Sequence, residues 1–186
     1  MRRTRSRERD ALGPWQHAVA TIARSWCDTE ALQLPCQIMP WLLLSDAHTA
    51  GEAEVLREHG VTHVLNAAGP SEGRMLVAKG IGAKYKQLGA QDRADYPILV
   101  LHWREAWDFL EEARQQGGRV LMHCQAGINR SGCLAAAALM MHERIPVVDA
   151  VQRCKAARGT VLLNTGFQQA LVRLAESENL LGPKPM

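Results

Sequence analysis

Two kinds of hydrophobic pattern alternate along this chain. Short apolar runs, typical of strands, are separated by longer stretches in which apolar residues recur every three or four positions, as on one face of a helix. The short runs lie at residues 37–44, 61–65, 84–88 and 119–123, and the helical stretches at residues 14–30, 50–59, 97–116, 131–143, 148–158 and 166–177. Strands linked by helices predict an α/β fold, in which a central, twisted and mostly parallel sheet is flanked by helices.

Glycine and proline refine the predicted elements. Pro40 lies inside the first predicted strand and indicates an edge or irregular position. Gly60 suits a left-handed cap at the end of the helix before it, and Pro97 suits the first turn of the longest helix. The segment 69–82 is predicted to be a loop or a weak helix. One face of the longest helix carries the apolar residues Leu99, Trp103, Ala106, Leu110 and Ala113.

The composition is typical of a globular protein. Hydrophobic residues make up 47% of the 186 residues and charged residues 22%, which favours one domain with a substantial core. No apolar run approaches the ~18 residues of a membrane span, and no apolar segment of the secretory type follows the arginine-rich start. We therefore expect a soluble protein with a basic flexible arm at residues 1–13, a folded domain at 14–178 and a flexible tail at 179–186.

The positive charge of the chain is concentrated at its start. Five arginines against Glu8 and Asp10 give residues 1–10 a net charge of +3, which equals the formal net charge of the whole chain. This pattern predicts a solvated, disordered arm, and a nuclear-targeting, nucleic-acid or acidic-partner docking segment is the alternative. Aromatic residues make up only 5% of the chain and no basic stripe with interleaved aromatic residues follows, so we expect no nucleic-acid groove.

The cysteines argue for a reducing compartment. There are five of them, at positions 27, 36, 124, 133 and 154. Because the number is odd and a chain of this length needs no disulfides to fold, we expect free thiols in a cytoplasmic protein, with the nucleus left open as a second compartment. No Cys-x-x-Cys pair and no histidine cluster offers the spacing of metal ligands, so we predict no metal and no cofactor.

The strongest chemical signal is a loop between the last predicted strand and an alanine-rich helix. In it Cys124 and Arg130 are separated by five residues, enough for the backbone N–H groups to turn toward one centre and bind an anion. The helix N-terminus and the planar guanidinium of Arg130 favour a phosphate-sized dianion at that centre. The predicted phosphate loop consists of His123, Cys124, Gln125, Ala126, Gly127, Ile128, Asn129 and Arg130.

Cys124 is the predicted nucleophile of this loop. An ordinary cysteine titrates near pH ~8.5, whereas one at a helix N-terminus beside a cation falls to about 3.5 to 7.5. At neutral pH a thiolate would therefore lie under the bound phosphate. Its in-line attack on phosphorus would give a phosphocysteine intermediate that water hydrolyses, without a metal.

The departing oxygen needs a proton, and the polar loop at residues 89–97 carries two candidate donors. Asp92 is the first choice as general acid and Asp95 is the alternative. A nearby phosphate dianion disfavours ionisation of a carboxyl group, which helps such a group to keep its proton. An aspartate in a loop is also a common turn former, and that simpler interpretation stays open at this stage.

The pattern His123-Cys124-x-x-Gly127-x-x-Arg130-Ser131 resembles the signature of the cysteine-dependent protein tyrosine phosphatases. Asp92 and the segments Thr62-His63-Val64-Leu65-Asn66-Ala67-Ala68 and Asn164-Thr165-Gly166-Phe167 narrow the resemblance to the small atypical dual-specificity phosphatases. The similarity covers residues 36–174, which is most of the chain. It implies a phosphatase domain at residues 14–178 with a phosphate-binding loop between a strand and a helix.

The resemblance also implies the roles of individual residues. Cys124 is the nucleophile, Arg130 binds phosphate and Asp92 is the general acid. The hydroxyl of Ser131 eases departure of the thiolate. The proposed chemistry requires no cofactor.

Two further residues receive supporting roles. His123 is expected to brace the phosphate loop from behind, which agrees with its being an ordinary buried core histidine. Asn66 is expected to hydrogen-bond near this loop, and a simple turn residue is the alternative. His123 ends one predicted strand, and Asn66 directly follows another.

The loop residues bear on the substrate. In the broader family, extra lysine or arginine in the loop accompanies phosphoinositide substrates, whereas Gln125, Ala126, Ile128 and Asn129 add no charge. This favours phosphoprotein substrates. The short chain further implies a shallow pocket that admits phosphotyrosine, phosphoserine and phosphothreonine.

Three other functions are the alternatives. An RNA 5′-phosphatase is one, since some relatives of the fold act on RNA, although the chain lacks a basic groove. A phosphopeptide-binding pseudophosphatase or scaffold is the non-enzymatic one, and the intact Cys124, Arg130 and Ser131 argue against it. A sulfur transferase with a persulfide on Cys124 is the most remote.

Overall fold

The computed structural model of the protein describes residues 12–25 and 33–185. Within these residues, five strands form one sheet: β1 (Cys36–Met39), β2 (Leu42–Ser45), β3 (His63–Asn66), β4 (Lys84–Gln87) and β5 (Val120–His123). Their order across the sheet is β1-β2-β5-β3-β4. Only the β1–β2 pair is antiparallel, and the other pairs are parallel. The predicted α/β class with a mostly parallel sheet is therefore confirmed.

Helices connect the strands and cover both faces of the sheet. In chain order they are α1 (Gly13–Arg24), α2 (Ala53–Glu58), α3 (Glu72–Gly80), α4 (Ile98–Gln115), α5 (Arg130–Glu143), α6 (Val147–Arg158) and α7 (Thr165–Ser177), with a 3-10 turn at Thr49–Gly51. Among the described residues, no helix combines the length and the apolar character that crossing a membrane requires.

The central strand β5 contributes to two separate cores. Because successive side chains of a strand point to opposite faces, Val120 and Met122 join the larger core, which also contains residues of α1, α4, α5, α6 and α7. Leu121 points the other way and joins the smaller core with residues of α2 and α3. All three side chains are fully buried. This two-sided burial fixes the end of β5, where the phosphate loop begins.

The prediction of a single strand at residues 37–44 is wrong, because this segment forms parts of two strands, β1 and β2. The chain reverses at Pro40 and Trp41, so that Met39 of β1 lies opposite Leu42 of β2. Proline cannot donate a hydrogen bond to a sheet, which suits it to this turn. The apolar run continues on both sides of the turn, so the hydrophobic pattern alone did not reveal the reversal.

Other boundaries differ more modestly from prediction. The helix predicted at 50–59 is divided into the 3-10 turn and α2, while the left-handed cap at Gly60 is confirmed by its φ of +61°. The uncertain segment 69–82 contains the helix α3. Pro97 caps α4 from just outside instead of occupying its first turn.

The predicted terminal segments lie partly outside the described residues. Residues 1–11 of the predicted arm lie outside the described residues. So do residues 26–32, which include the predicted continuation of the first helix to residue 30. At the other end, the packed part of the chain extends past residue 178. Leu180 is 6% exposed, and its carbonyl oxygen accepts a hydrogen bond from the N–H of Val147.

Candidate active site

The phosphate loop lies at the carboxyl end of the central strand, between β5 and α5. Its tight curvature requires glycine at one position. Gly127 has a φ of +67°, and a β-carbon there would lie 2.5 Å from the carbonyl oxygen of Ser45, at the end of β2. Both the backbone conformation and the lack of space exclude a side chain. The neighbouring strand therefore shapes the loop directly.

The loop carbonyls are bonded outward. The N–H of Leu162 donates to the Ile128 carbonyl oxygen at 2.8 Å, and Nη2 of Arg158 donates to the Ala126 carbonyl oxygen at 3.0 Å. Within the described part of the chain, the amides of residues 125–129 donate to no backbone carbonyl. Because these carbonyls are bonded outside the loop and the loop amides donate to no backbone carbonyl, the loop can bind an anion at its centre.

Cys124 lies at the base of the loop and is 2% exposed. Its sulfur accepts a hydrogen bond from Oγ of Ser131 at 3.2 Å. Burial raises the pKa of the Cys124 thiol. The hydrogen bond from the Ser131 hydroxyl, the amides of Ser131 and Ile128 and the charge of Arg130 lower it, and together they outweigh burial. The net result is a lowered pKa. By contrast, burial without such donors raises the pKa of Cys154 to about 12.

His123 is buried directly behind the nucleophile. Its Nδ1–H donates to the carbonyl oxygen of Cys124 at 3.0 Å. Burial lowers the pKa of His123 to about 4, against a smaller opposing effect of that hydrogen bond, so the imidazole is neutral at neutral pH. The contact agrees with the bracing role predicted for this residue.

The neutral His123 is expected to make the fold sensitive to acid. In the unfolded chain the imidazole of His123 takes up a proton near pH 6.5, whereas in the folded chain it does so only near pH 4. Stability is therefore lost as the pH falls from 6.5 toward 4, and the free energy of unfolding should drop by about 2 kcal/mol between pH 7.5 and 5. Urea unfolding at both pH values, on the wild type and on His123→Gln, measures this drop. If the variant shows the same pH-dependent loss, His123 is not its source.

Asn66 organises a turn and not the phosphate loop. Its side-chain oxygen accepts from the N–H of Ala68 at 2.8 Å, and its amide nitrogen donates to the Gly69 carbonyl and to the hydroxyl of Tyr85. Asn66 is the strand neighbour of His123 across β3 and β5. The predicted hydrogen bond near the loop is thus replaced by bonds to the turn after β3 and to Tyr85 of β4. Asn66 is linked to the site only as the strand neighbour of His123.

Arg130 is the first residue of α5 and joins the phosphate loop to the loop of residues 89–97, the Asp92 loop. Its Nη1 donates to the carbonyl oxygen of Ala90 at 3.2 Å. Its Nε lies 3.8 Å from Oδ2 of Asp92. The Arg130 side chain is only 14% exposed, so the guanidinium is held in one place.

Two asparagines hold the Asp92 carboxylate beside the loop. Nδ2 of Asn129 donates to Oδ2 of Asp92 at 3.2 Å, and Nδ2 of Asn164 donates to Oδ1 at 2.9 Å. The two asparagines are also joined to each other, because the N–H of Asn164 donates to Oδ1 of Asn129 at 3.0 Å. We call them the asparagine pair. The side chain of Asp92 is 32% exposed and can be reached from solvent.

Asp95, the alternative acid, points away from this arrangement. Its carboxylate forms a two-pronged ion pair with Arg93, at 2.6 and 3.0 Å. Hydrogen bonding to Arg93 lowers the pKa of Asp95 below its ordinary value. A side chain that is 69% exposed and ionised in a surface pair is poorly suited to donate a proton at the phosphate loop.

Sequence reasoning missed two contributors to the site. Arg158 supports the phosphate loop from the end of α6, and no local signal distinguishes it from other surface arginines. The sequence marks Asn164 as part of the segment that narrows the resemblance, and it gives no sign of the bond to Asp92. The spacing of Asn164 before an apolar helical pattern does mark it as a helix cap.

Comparison with known proteins assigns the family. Residues 42–177 match the family model "Dual specificity phosphatase, catalytic domain". Dual specificity protein phosphatase 26 of Bos taurus is 36% identical over 140 residues, which are 74% of this chain and 65% of that protein. Dual specificity protein phosphatase 19 of Mus musculus is 35% identical over 134 residues, which are 72% of this chain and 59% of that protein. The crystal structure of human DUSP28 matches with a TM-score of 0.71 and 26% identity, over 81% of this chain and 99% of that one.

The chain therefore belongs to the dual specificity phosphatase catalytic-domain family. The predicted resemblance to the small atypical members is confirmed. The matched part of the chain spans less than two thirds of the length of the curated relatives named above.

Proposed function

We propose that the protein hydrolyses phosphate monoesters of phosphotyrosine, phosphoserine and phosphothreonine in proteins through a phosphocysteine intermediate. In the first step the sulfur of Cys124 attacks phosphorus, the bond to the ester oxygen breaks, and Asp92 donates a proton to the departing oxygen. In the second step Asp92 accepts a proton from water, the water oxygen attacks phosphorus, and the thiolate leaves while the Ser131 hydroxyl donates to it.

The single observation that carries this proposal is the convergence of three groups at one loop. One loop carries a thiol with a lowered pKa, a nearly buried guanidinium and amides that donate to no backbone carbonyl. Preorganised donors of this kind stabilise the charge that develops on a transferring phosphoryl group. The Asp92 carboxyl group, 3.8 Å from Nε of Arg130, is close enough to serve the departing oxygen.

The rim of the loop supports phosphoprotein substrates over inositol lipids. Gln125 and Ala126 are exposed and uncharged, and Ile128 is half-buried and apolar. Such a rim offers the additional phosphates of an inositol headgroup no charged partner within the loop. A phosphoprotein carries no additional phosphates on the same residue, so its binding does not require such charged partners in the loop.

A comparison of substrates tests the function. We expect kcat/KM for a phosphotyrosine peptide to exceed that for a soluble phosphoinositide by at least about tenfold, since each charged hydrogen bond that is not made is worth about 1.5–3 kcal/mol. A doubly phosphorylated peptide and a 5′-triphosphate RNA complete the set, with phosphate release as the readout. The Cys124→Ser variant reports any contaminating phosphatase.

Each of the other outcomes would replace the proposal. Faster release from the RNA would make the protein an RNA 5′-phosphatase. Tight binding of the phosphopeptide, without release above the Cys124→Ser background, would make it a phosphopeptide-binding scaffold.

A further inference from the structure

The first turn of α7 touches the backbone of the Asp92 loop. A β-carbon at Gly166 would overlap the carbonyl group of Ala94, two residues after Asp92. Gly166 has no positive φ, so alanine would be acceptable to the helix itself. Glycine is needed here because of the close contact with the loop. Any side chain at this position must push the Asp92 loop and α7 apart.

Asn164 links the same two elements by hydrogen bonds. Its Oδ1 caps α7 by accepting from the N–H groups of Gly166 and Phe167, at 3.0 and 3.3 Å. Its Nδ2 donates to Asp92 at 2.9 Å. One side chain therefore fixes the start of the helix and one carboxylate oxygen together. The other oxygen is held by Asn129, the second member of the asparagine pair.

We propose that the first turn of α7 is the positioning element of the general acid, with Gly166 and Asn164 as positioning residues. Gly166 sets how close the Asp92 loop approaches the helix, and Asn164 sets the direction of the carboxyl group. Neither residue touches the reacting phosphate, and both act through the proton that Asp92 gives to the departing oxygen. This inference rests on the proposed function, because it assigns residues to the same site.

Leaving-group dependence separates positioning from general structural damage. A general acid matters most when the departing oxygen is basic. Phenyl phosphate releases a phenol with a pKa of ~10, like that of tyrosine, whereas p-nitrophenyl phosphate releases a more acidic phenol. We expect Gly166→Ala to lower kcat by at least about tenfold with phenyl phosphate and by less than about twofold with p-nitrophenyl phosphate.

The chain offers a matched control for this substitution. Gly73 occupies the same position in the first turn of α3, and a β-carbon there meets nothing within 4 Å. Gly73→Ala is expected to keep the wild-type rates with both substrates. An equal fall with both substrates in Gly166→Ala, or no fall with either, would overturn the positioning role of Gly166.

A second variant tests Asn164 without removing the helix cap. Serine caps helices about as well as asparagine but is too short to reach Asp92. We therefore expect Asn164→Ser to retain the wild-type melting temperature and to show the same selective loss with phenyl phosphate, by about tenfold. Wild-type rates with both substrates in Asn164→Ser would show that Asn164 is a helix cap alone and would refute its positioning role.

The failure of this inference is distinguishable from failure of the proposed function. Asp92→Asn is the reference, measured with the same two substrates. If Asp92→Asn loses kcat selectively with phenyl phosphate and neither Gly166→Ala nor Asn164→Ser does, only the inference is overturned. No turnover by the wild type above the Cys124→Ser background overturns the proposed function and the inference with it.

Discussion

Replacing Cys124 with serine is expected to lower the turnover of aryl phosphates by at least about 10⁴-fold, since removal of a catalytic nucleophile costs on this scale. The surroundings of Cys124 lower the pKa of a thiol to favour a thiolate. They cannot ionise a serine hydroxyl, which is far less acidic. The variant keeps Arg130 and the loop amides, so it should still bind phosphate. Steady-state kinetics of the purified variant measures the loss.

A second cysteine provides the matched control. Cys36 is also buried, at 7% exposure, and its thiol donates to the carbonyl oxygen of Leu44, a bond that a serine hydroxyl can replace. Burial raises the pKa of Cys36, so its thiol is not activated. Cys36→Ser is expected to turn over aryl phosphate like the wild type. A Cys124→Ser protein with wild-type turnover would rule out the cysteine mechanism.

The ionised state of Cys124 has its own chemical signature. Only a thiolate reacts readily with iodoacetate, so Cys124 should be alkylated at about pH 6, where an ordinary thiol is almost entirely protonated. Inorganic vanadate, a phosphate analogue, should protect it by occupying the loop. Peptide mass spectrometry identifies the modified residue. Slow alkylation that vanadate does not affect would contradict an activated thiolate in an anion site.

The central part of the fold and of the site could be predicted because its signals are local. The phosphate loop, its preceding strand and its following helix are contiguous in the sequence, and each has a distinct pattern. Gly127 supplies the positive φ that the loop requires. The order of strand, glycine-containing loop and helix N-terminus predicts an anion site, and the strand and the helix lie where the sequence predicts them.

Interactions between distant residues could not be predicted in the same way. Asn164 lies 72 residues from Asp92, and no periodicity relates the two positions. The overlap that makes Gly166 necessary arises only when α7 meets the Asp92 loop. Asn66 shows the converse, since its place after a strand favoured two roles equally and only the contacts with Ala68, Gly69 and Tyr85 distinguish them.

The choice between Asp92 and Asp95 depended on geometry for the same reason. Both lie in one polar loop, three residues apart, and the sequence ranks them only weakly. Asp95 is paired with Arg93 at the surface, whereas Asp92 is held by the asparagine pair beside Arg130. The fold thus separates two chemically identical groups by what each one contacts.

Asp92→Asn is therefore expected to lower kcat for phenyl phosphate by about 10² to 10³-fold, within the range that general acid catalysis contributes. Asparagine has nearly the same shape and can still bond to one of the asparagine pair, but it has no proton to donate. The loss should be much smaller with a more acidic leaving group. The basic limb of the pH–rate profile, which reports ionisation of the acid, should disappear in this variant.

Asp95→Asn is the matched control for this prediction. It makes the same chemical change three residues away, at a carboxylate that faces Arg93 and solvent. We expect its pH–rate profile to keep the basic limb and its kcat to stay within about twofold of the wild type, because surface ion pairs contribute little. If the basic limb is lost in Asp95→Asn and kept in Asp92→Asn, the two roles are reversed. If both variants keep it, the departing oxygen obtains its proton from another source.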